Sequence, residues 1–366
     1  MNWDAIDWTA LGRLRTEYLS GTPSGRDYWQ GESDLASYDA TFAQRIGWKW
    51  DFVLAELTRR GWSPPLGELL DWGCGSGIAS RAFLDHFGTT AISKLQLWDR
   101  SPLAMSFAAK RARGKYPGLE VDVGLGGGPH AAAELGTALA SVQGRAGGPL
   151  PAAGSGENDG ARGVARPTFT LLISHVLTEL NPEPVEALLD LAAQAECVLW
   201  VEPGTHDASR RLIVLRERLR ERFNLIAPCT HSTPCGMLTP GNERHWCHHF
   251  ASPPREIFTD GHWSRFARLT GIDLRDLPLS FLAVDRRPAP PLPSGAGRVI
   301  GHPRLYKAHA LLLGCDATGV RERKLKQRTL PAEFRALKKS MGDGLRVWEC
   351  AQDEIVAIHP LPERGQ

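Results

Sequence analysis

The sequence predicts an α/β fold with a mainly parallel, doubly wound sheet, a helical cap and a small additional β domain. Short apolar strands alternate with helices from residue 69 to residue 201, which implies right-handed crossovers. A glycine-rich turn follows the first strand and opens a helix. The 366 residues also exceed the usual size of a single core, so more than one domain is expected.

Bulk composition sets the broad class. Hydrophobic residues at 42% and charged residues at 23% are globular values. No uninterrupted apolar run of about 18 residues occurs, and two acids precede the first base, Arg13, so neither a membrane span nor a targeting segment is expected. We expect a cytoplasmic, monomeric protein. Seven cysteines, an odd number, favour reduced thiols and metal ligation over disulfides.

Residues 1–62 are expected to form an N-terminal helical cap, because Ile46, Trp50, Leu54 and Leu57 recur near the helical period. Residues 63–226 are assigned to the sheet domain. Its predicted strands are 69–70, 95–98, 119–123, 169–173 and 197–201, and its helices are 78–84, 102–113, one within 182–195, and 205–223. Within it, residues from about 124 to 166 are rich in Gly, Ala, Ser and Pro and are expected to be a flexible insertion.

Residues 227–255 are assigned to a metal-binding loop and residues 256–366 to a basic C-terminal β domain. Strands are predicted at 277–284 and 297–300, separated by a proline-rich segment. Between Arg321 and Lys339 there are eight Lys or Arg residues against two Glu. This imbalance, together with the arginine-rich helix at 205–223, points to an anionic partner, although a solvated face is the ordinary explanation of a charge run.

The turn Asp71-x-Gly73-x-Gly75-x-Gly77 carries the clearest chemical signal. Glycines let the backbone approach a ligand closely and bring the start of a helix to it. Asp99 ends the next strand, where it could accept hydrogen bonds from ribose hydroxyls. The spacing resembles the S-adenosylmethionine site of class I methyltransferases more than a dinucleotide site. The alternative is a tight turn without a ligand.

Catalytic residues are harder to predict, because methyl transfer from a sulfonium depends mainly on positioning. His175, Glu179 and Glu202 follow the fourth and fifth strands and could act as a base or bind substrate, or could cap a strand end and enter a turn. The Asn/Asp-Pro-Pro-aromatic turn of enzymes that methylate base amines is absent here. Cys74 and Cys197 are poorly placed to act as nucleophiles.

Cys229, Cys235 and Cys247 are separated by five and eleven residues, and Cys315 offers a fourth thiol. Four sulfurs suit an iron-sulfur cluster or zinc, and His231, His245, His248 and His249 leave mixed zinc ligation open. The usual C-x₂-C zinc spacing is missing, which favours iron and sulfur. Ordinary buried cysteines are the alternative. Cys350 is expected to be a bystander.

Seven sequence segments together carry a family resemblance: DWGCGSG, LWDRS, SHVLTEL, VEPGT, PCTHSTPC, HWCHHF and GHP…LLLGCDATG, in that order. From about residue 28 to 348, without the insertion, the chain resembles methyltransferase-like proteins associated with the small subunit of the mitochondrial ribosome and their bacterial relatives. The resemblance implies a class I methyltransferase fold, an S-adenosylmethionine pocket and an OB-like C-terminal domain. It also implies a [4Fe-4S] cluster on Cys229, Cys235, Cys247 and Cys315, and binding to small-subunit rRNA during ribosome assembly. The start of the chain favours a bacterial member.

The basic residues fit that partner independently, since cations that neutralise phosphates supply a sequence-independent attraction. The predicted RNA-binding residues are Arg210, Arg211, Arg218, Arg321, Arg323, Lys324, Lys326 and Arg328. We therefore expect a methyltransferase-like protein that acts on small-subunit rRNA and whose cluster is structural. Three alternatives stay open: a non-catalytic RNA-binding assembly factor, a true rRNA methyltransferase, and a small-molecule methyltransferase with structural zinc.

Overall fold

The computed structural model describes residues 2–20, 29–124, 168–339, 344–359 and 361. The insertion predicted at 124–166 lies, beyond its first residue, outside the described residues. None of the helices in the described ranges is both long and apolar enough to cross a membrane.

Three helices form the N-terminal cap: α1 (Trp8–Leu19), α2 (Glu32–Ala40) and α3 (Phe42–Arg59). Helix α1 begins at Asp7, whose side chain accepts hydrogen bonds from the backbone N–H groups of Thr9 and Ala10. In α3 the predicted apolar stripe is confirmed, since Trp50, Leu54 and Leu57 are fully buried against the sheet. The cap therefore belongs to the sheet domain's core.

The central sheet has eight strands within the described residues: β1 (Gly67–Trp72), β2 (Ile92–Trp98), β3 (Glu120–Val123), β4 (Phe169–Ser174), β5 (Cys197–Pro203), β6 (Asn224–Ala227), β7 (His249–Ala251) and β8 (Leu277–Asp285). The order is β3-β2-β1-β4-β5-β8-β6, with β7 paired to β8. Strands β1 to β5 are parallel, whereas β8 is antiparallel to β5, β6 and β7. The predicted doubly wound α/β sheet is confirmed as a mixed sheet.

Helices cover both faces of this sheet. On one face α3, α4 (Ile78–Phe87) and α5 (Pro102–Lys115) pack on the strands. On the other face lie α6 (Pro182–Ala192) and α7 (His206–Leu219). Ligands of such sheets bind at the carboxyl ends of the parallel strands, so this edge is where the predicted site residues should meet.

The predicted domain boundary at residue 256 differs from the structure. Strand β8, predicted as part of the C-terminal domain, lies between β5 and β6 in the central sheet. Helices α8 (Glu256–Thr259) and α9 (Gly261–Thr270) precede it, and Trp263 and Phe266 of α9 pack with Leu11 of the cap. The reason is physical: the almost wholly buried strand β8 needs apolar cover on both faces, and its sequence does not say which sheet supplies it.

The C-terminal part of the chain is a closed five-stranded barrel. Its strands are β9 (Ala296–Leu305), β10 (His309–Asp316), β11 (Gly319–Lys326), β12 (Leu345–Ala351) and β13 (Glu354–His359), closed in the order β10-β11-β13-β12-β9. Helix α10 (Pro331–Lys339) lies between β11 and β12 in the chain. The core of the barrel includes Leu312, Leu325, Phe334 and Trp348. The predicted strand at 297–300 is the first half of β9.

A buried ion network joins the barrel to the sheet domain. The Glu56 carboxylate of α3 pairs with Arg60, 2.8 Å away, and with Arg298 of β9. Arg60 also donates to the carbonyls of Ile226, Pro228 and Cys229, at 2.8 Å each. The beginning of the cysteine loop is thus held by the cap and the barrel together.

Candidate nucleoside site and thiol cluster

The glycine loop connects β1 to α4 in a conformation that only glycine adopts freely. Gly73, Gly75 and Gly77 have φ angles of 70°, 50° and 78°. The N–H groups of Gly73 and Cys74 donate to the Trp98 carbonyl at the end of β2, at 2.8 and 2.9 Å. The loop is therefore fixed to the strand end that carries Asp99.

The three glycines differ in what a side chain at their position would meet. A Cβ at Gly73 would lie 2.6 Å from Val176 Cγ1, and one at Gly77 would lie 2.9 Å from Ala108 Cβ. At Gly75, by contrast, a Cβ would meet nothing within 4 Å. Gly73 and Gly77 permit close packing of the protein itself, whereas Gly75 faces open space that a ligand could fill.

Asp99 holds the loop and remains accessible. Its two carboxylate oxygens accept from the Gly75 N–H and the Ser101 N–H, both at 2.9 Å. The side chain is half-buried rather than enclosed. Each carboxylate oxygen can accept more than one hydrogen bond, and a carboxylate is the kind of group that receives ribose hydroxyls. The open Gly75 and this acid fit the nucleoside half of S-adenosylmethionine.

Asp71, predicted with the cofactor residues, lies beneath the loop and is fully buried. Its Oδ2 accepts from the Ser80 N–H at 3.1 Å, in the first turn of α4. Gly77, the residue before α4, has no side chain to cap the helix, so Asp71 performs that role. Burial raises the pKa of Asp71 to about 6, against the hydrogen bonds from Ser80.

The ends of β4 and β5 place Glu202 at the same edge of the sheet. Glu202 is fully buried, and its Oε1 accepts from Trp200 Nε1, Leu177 N and Val176 N at 2.7, 3.0 and 3.3 Å. Its Oε2 is a buried atom without a hydrogen-bond partner among the described residues. Burial raises the pKa of Glu202 to about 7.

His175 has a left-handed φ of 57°, which is uncommon outside glycine, and its backbone N–H donates to the Val201 carbonyl at 2.8 Å. Its Nε2 is buried and, among the described residues, has no partner. Burial, together with Lys49 and Arg45, lowers the pKa of His175 well below its usual value. Glu179 is exposed beside Arg100, 4.0 Å away.

Sequence reasoning missed Arg45 and Lys49 of α3, which extend toward these strand ends. Lys49 is buried, and burial with the nearby Arg45 lowers its pKa to about 7, opposed by Glu202. The available signal was two cations four residues apart on the helix that carries Trp50, whose Nε1 donates to Ser174 Oγ at 2.9 Å. The candidate site for the methyl acceptor thus includes basic as well as acidic side chains.

The four predicted thiols are brought together from two distant segments. Cys229 follows β6, Cys235 and Cys247 lie in the loop, and Cys315 is on β10. Burial raises the pKa of Cys235 to about 11, with a further contribution from Cys229. Burial also raises the pKa of Cys247 far above its usual value, and Cys229, Cys235 and Cys315 add to this rise. Cys235, Cys247 and Cys315 also pack against one small apolar cluster, formed by Ile213, Met237 and Ile300.

Polar groups surround the thiols. Arg216 Nε lies 3.3 Å from Cys229 Sγ, His231 Nε2 lies 3.6 Å from Cys315 Sγ, and His249 Nε2 lies 3.6 Å from Cys247 Sγ. His248 instead stacks on Trp246, and His245 contacts Arg244. Within the part of the chain that the structure describes, no group of three or more His, Cys, Asp or Glu residues could hold a metal ion.

Several predicted RNA-binding residues have partners inside the protein. Arg210 donates to the Met237 carbonyl at 2.6 Å, and Arg211 to the Leu180 carbonyl at 2.8 Å. Arg323 is buried and pairs with Asp316 at 2.8 Å. Arg218 pairs with Glu186, and Lys326 with Glu354. Arg321 and Arg328 are exposed and Lys324 is half-buried, so these three are the more accessible cations of the predicted set.

Many solved structures are similar to this chain, and two of them serve as examples. An RNA methyltransferase candidate from Pyrococcus horikoshii has 10% identity and a TM-score of 0.33 over 67% of this chain and 83% of that one. Magnesium protoporphyrin IX methyltransferase of Synechocystis, with bound S-adenosylhomocysteine, has 14% identity and a TM-score of 0.35 over 77% and 100%. No curated relative matches the sequence.

The family model described as mitochondrial small ribosomal subunit Rsm22 matches residues 162–352, which is more than half of the chain. This range includes the strand-end residues, the cysteine loop and most of the barrel. The chain belongs to the Rsm22 family.

Proposed function

We propose that the protein binds S-adenosylmethionine and acts on small-subunit rRNA during ribosome assembly. The main observation in support of cofactor binding is the glycine loop, where Gly75 and Asp99 meet at the carboxyl ends of parallel strands. Membership of a ribosomal-subunit family supports the partner. Gly75 and Asp99 would hold the nucleoside, while Gly73, Gly77 and Asp71 shape the loop around it.

When bound, the cofactor supplies an activated methyl group, and transfer then depends on how the acceptor is positioned. The residues available for this are His175 and Glu202 at the strand ends, with Lys49 opposite them on α3. Glu202 Oε2 and His175 Nε2 are buried polar atoms that an acceptor could satisfy. Glu179 stays a weaker candidate, because it is exposed at the rim.

We further propose a structural [4Fe-4S] cluster on Cys229, Cys235, Cys247 and Cys315. The mutual proximity of four thiols from two segments supports it, and thiolates are the usual ligands of such a cluster. A single zinc ion is the alternative, since Cys and His side chains also suit zinc. Analysis of anaerobically purified protein for iron, inorganic sulfide and zinc separates the two. Zinc without sulfide would overturn the cluster.

The fold and charge of the barrel support RNA as the partner. A five-stranded barrel with accessible cations suits the OB-like nucleic-acid-binding domain that we propose here. The resemblance to an OB domain extends to the strand number and closure, and Lys324 and Arg328 supply positive charge. A basic surface attracts RNA through its phosphates, and this attraction weakens as salt rises.

Two measurements test the proposed function. Calorimetric titration with S-adenosylmethionine should show binding that Asp99→Ala weakens at least tenfold, whereas Asp122→Ala, an acid on the neighbouring strand β3, should have no effect. The protein should also copurify with small-subunit rRNA precursors at moderate salt. Absence of rRNA from the purified protein at moderate salt would overturn the proposed RNA partner. A cofactor affinity that Asp99→Ala does not change would overturn the proposed cofactor site. Loss of one rRNA methyl mark in Asp99→Ala cells would identify a true methyltransferase rather than an assembly factor without catalysis.

A further inference from the structure

An open groove lies on the barrel between β10, β11 and the start of α10. Its volume is about 590 Å³, and its lining residues are Ala308, His309, Lys324, Lys326, Gln327, Arg328 and Pro331. Backbone hydrogen bonds hold its rim: Gln327 N donates to the Ala308 carbonyl and Tyr306 N donates to the His309 carbonyl, both at 2.9 Å. The groove is therefore built by the two strand ends and is part of the barrel framework.

The groove is positively charged. Lys324, Lys326 and Arg328 line it, and the described lining residues include no carboxylate. The nearest acid in the contacts of these residues is Glu354, which pairs with Lys326 and also accepts from Thr329 Oγ1 at 3.2 Å. Arg328 is exposed. This arrangement leaves an excess of cationic groups facing a surface concavity, which suits a chain of phosphates.

A flat aromatic surface stands beside these cations. Tyr306 is 46% exposed, and its ring stacks on that of His309 with centroids 4.7 Å apart and an interplanar angle of 11°. The adjacent Leu305 is 44% exposed. One face of the Tyr306 ring is covered by His309, so the pair is held in a defined orientation. An exposed ring of this kind is a stacking surface for an unpaired base.

From the combination of cations and a supported aromatic ring, we propose that this groove binds a single-stranded segment of RNA. Its phosphates would contact Lys324 and Arg328, and one base would stack on Tyr306. Duplex RNA fits less well, because its bases are already stacked on each other and offer no free face. An acidic peptide would use the cations but would gain little from the planar ring. This inference rests on the proposed RNA-binding function and specifies its site and the form of its ligand.

The test measures binding of the full chain to a fluorescent, unstructured RNA of about 12 nucleotides. Anisotropy should show that Tyr306→Ala weakens binding about tenfold without altering the salt dependence, since stacking involves no ion release. Tyr306→Phe should bind like the unchanged protein. Arg328→Gln should weaken binding and lower the slope against log salt by about one. Arg255→Gln, an exposed arginine before α8, is the matched control and should change neither quantity.

The outcomes separate this inference from the proposed function. RNA binding that survives unchanged in both Tyr306→Ala and Arg328→Gln would overturn the groove while leaving RNA binding intact. No binding of any RNA, rRNA included, would overturn the proposed function itself. A matched hairpin duplex that binds as tightly as the single strand, or an acidic peptide that displaces RNA at equal concentration, would also overturn the single-strand assignment.

Discussion

At the residue scale, Glu202 shows how burial changes the meaning of a motif. In the sequence the Glu-Pro-Gly segment fits a turn or a substrate acid equally well. In the structure the carboxyl group is buried. Its Oε1 accepts three hydrogen bonds, whereas its Oε2 has no hydrogen-bond partner among the described residues. A buried carboxyl group with one unpaired oxygen lowers the stability of the folded protein, so stability alone does not explain it. The position of this carboxyl group at the strand ends favours a role in the site.

Glu202 also predicts a pH dependence of stability. Burial raises its pKa to about 7, above the value of about 4.3 expected in the unfolded chain. The native state then binds the proton more tightly, so this contribution is fully present below about pH 4 and is lost as pH rises through about 7. Relative to Glu202→Gln, the unfolding free energy should fall by about 3 kcal/mol from pH 4 to pH 8.

Urea denaturation across this pH range measures the effect. Glu183→Gln, an exposed glutamate in the first turn of α6, should follow the parent curve at every pH. Parallel stability curves for the parent protein and Glu202→Gln would show that the carboxyl group titrates normally and would remove this evidence for a perturbed site.

At the element scale, the glycine loop is a turn whose three glycines have separate reasons. Gly73 and Gly77 are required by close contacts with Val176 and Ala108, which belong to the protein. Gly75 has the positive φ angle but no neighbour within reach of a Cβ. Its conformation is explained by the turn, and the space beside it is open to the cofactor that we propose.

Gly75→Ala should therefore affect binding more than folding. A left-handed alanine costs about 1 kcal/mol of stability. The added methyl group would enter the ligand space, so the affinity for S-adenosylmethionine should fall more than tenfold. Gly271→Ala is a matched control, because Gly271 has a left-handed φ of 65° and also lacks neighbours within 4 Å, but lies at the end of α9. Equal losses of affinity in both variants would contradict a cofactor at Gly75.

Helix α3 is the second element whose role the structure revealed. It covers the sheet with its apolar stripe, extends Arg45 and Lys49 toward the candidate site, and places Glu56 between Arg60 and Arg298. Arg60 in turn holds three carbonyls at the start of the cysteine loop. One helix thus connects the sheet, the loop and the barrel.

Glu56→Gln should destabilise the protein by about 3–5 kcal/mol, because it leaves two buried guanidinium groups without their anion. Glu32→Gln, which removes an exposed partner of Lys110, should change stability by less than about 1 kcal/mol. Urea unfolding of both variants tests this. A loss at Glu56 no larger than that at Glu32 would show that the network does not hold the two domains together.

At the scale of the whole molecule, the thiols lie where the sheet domain meets the barrel. Three are in the loop that follows β6, and Cys315 is on the barrel strand β10. A group bound by all four would connect the two domains, and its binding free energy would add to their stability. Such a group would act as a structural link rather than as a catalytic centre.

Removal of the proposed cluster should loosen the barrel before the sheet domain. Limited proteolysis of chelator-treated protein, or of Cys315→Ser, should cut first beyond residue 286, and iron content should fall in the variant. Cys350→Ser is the matched control, since Cys350 lies on the barrel strand β12 outside the thiol group, and it should retain iron and resist cleavage. Simultaneous cleavage of both domains would contradict the structural role.

Local patterns predicted much of this protein. The alternation of strands and helices predicted the parallel half of the sheet, and the stripe of α3 predicted its buried face. The glycine spacing predicted the loop, and the structure adds a contact that was not predicted, the 2.9 Å hydrogen bond from the Gly75 N–H to Asp99. These features depend on side chains close in sequence, where helical and strand periods act directly.

Long-range features were decided only by the tertiary structure. The sequence by itself determined the strand and helix pattern, the glycine loop and the presence of four thiols. The fold decided that β8 enters the central sheet, that Asp71 braces a helix from below, and that Arg210 and Arg323 are occupied within the protein. The physical reason is that strand partners, burial and the partners of a charge depend on contacts between residues far apart in the chain, which local periodicity does not encode.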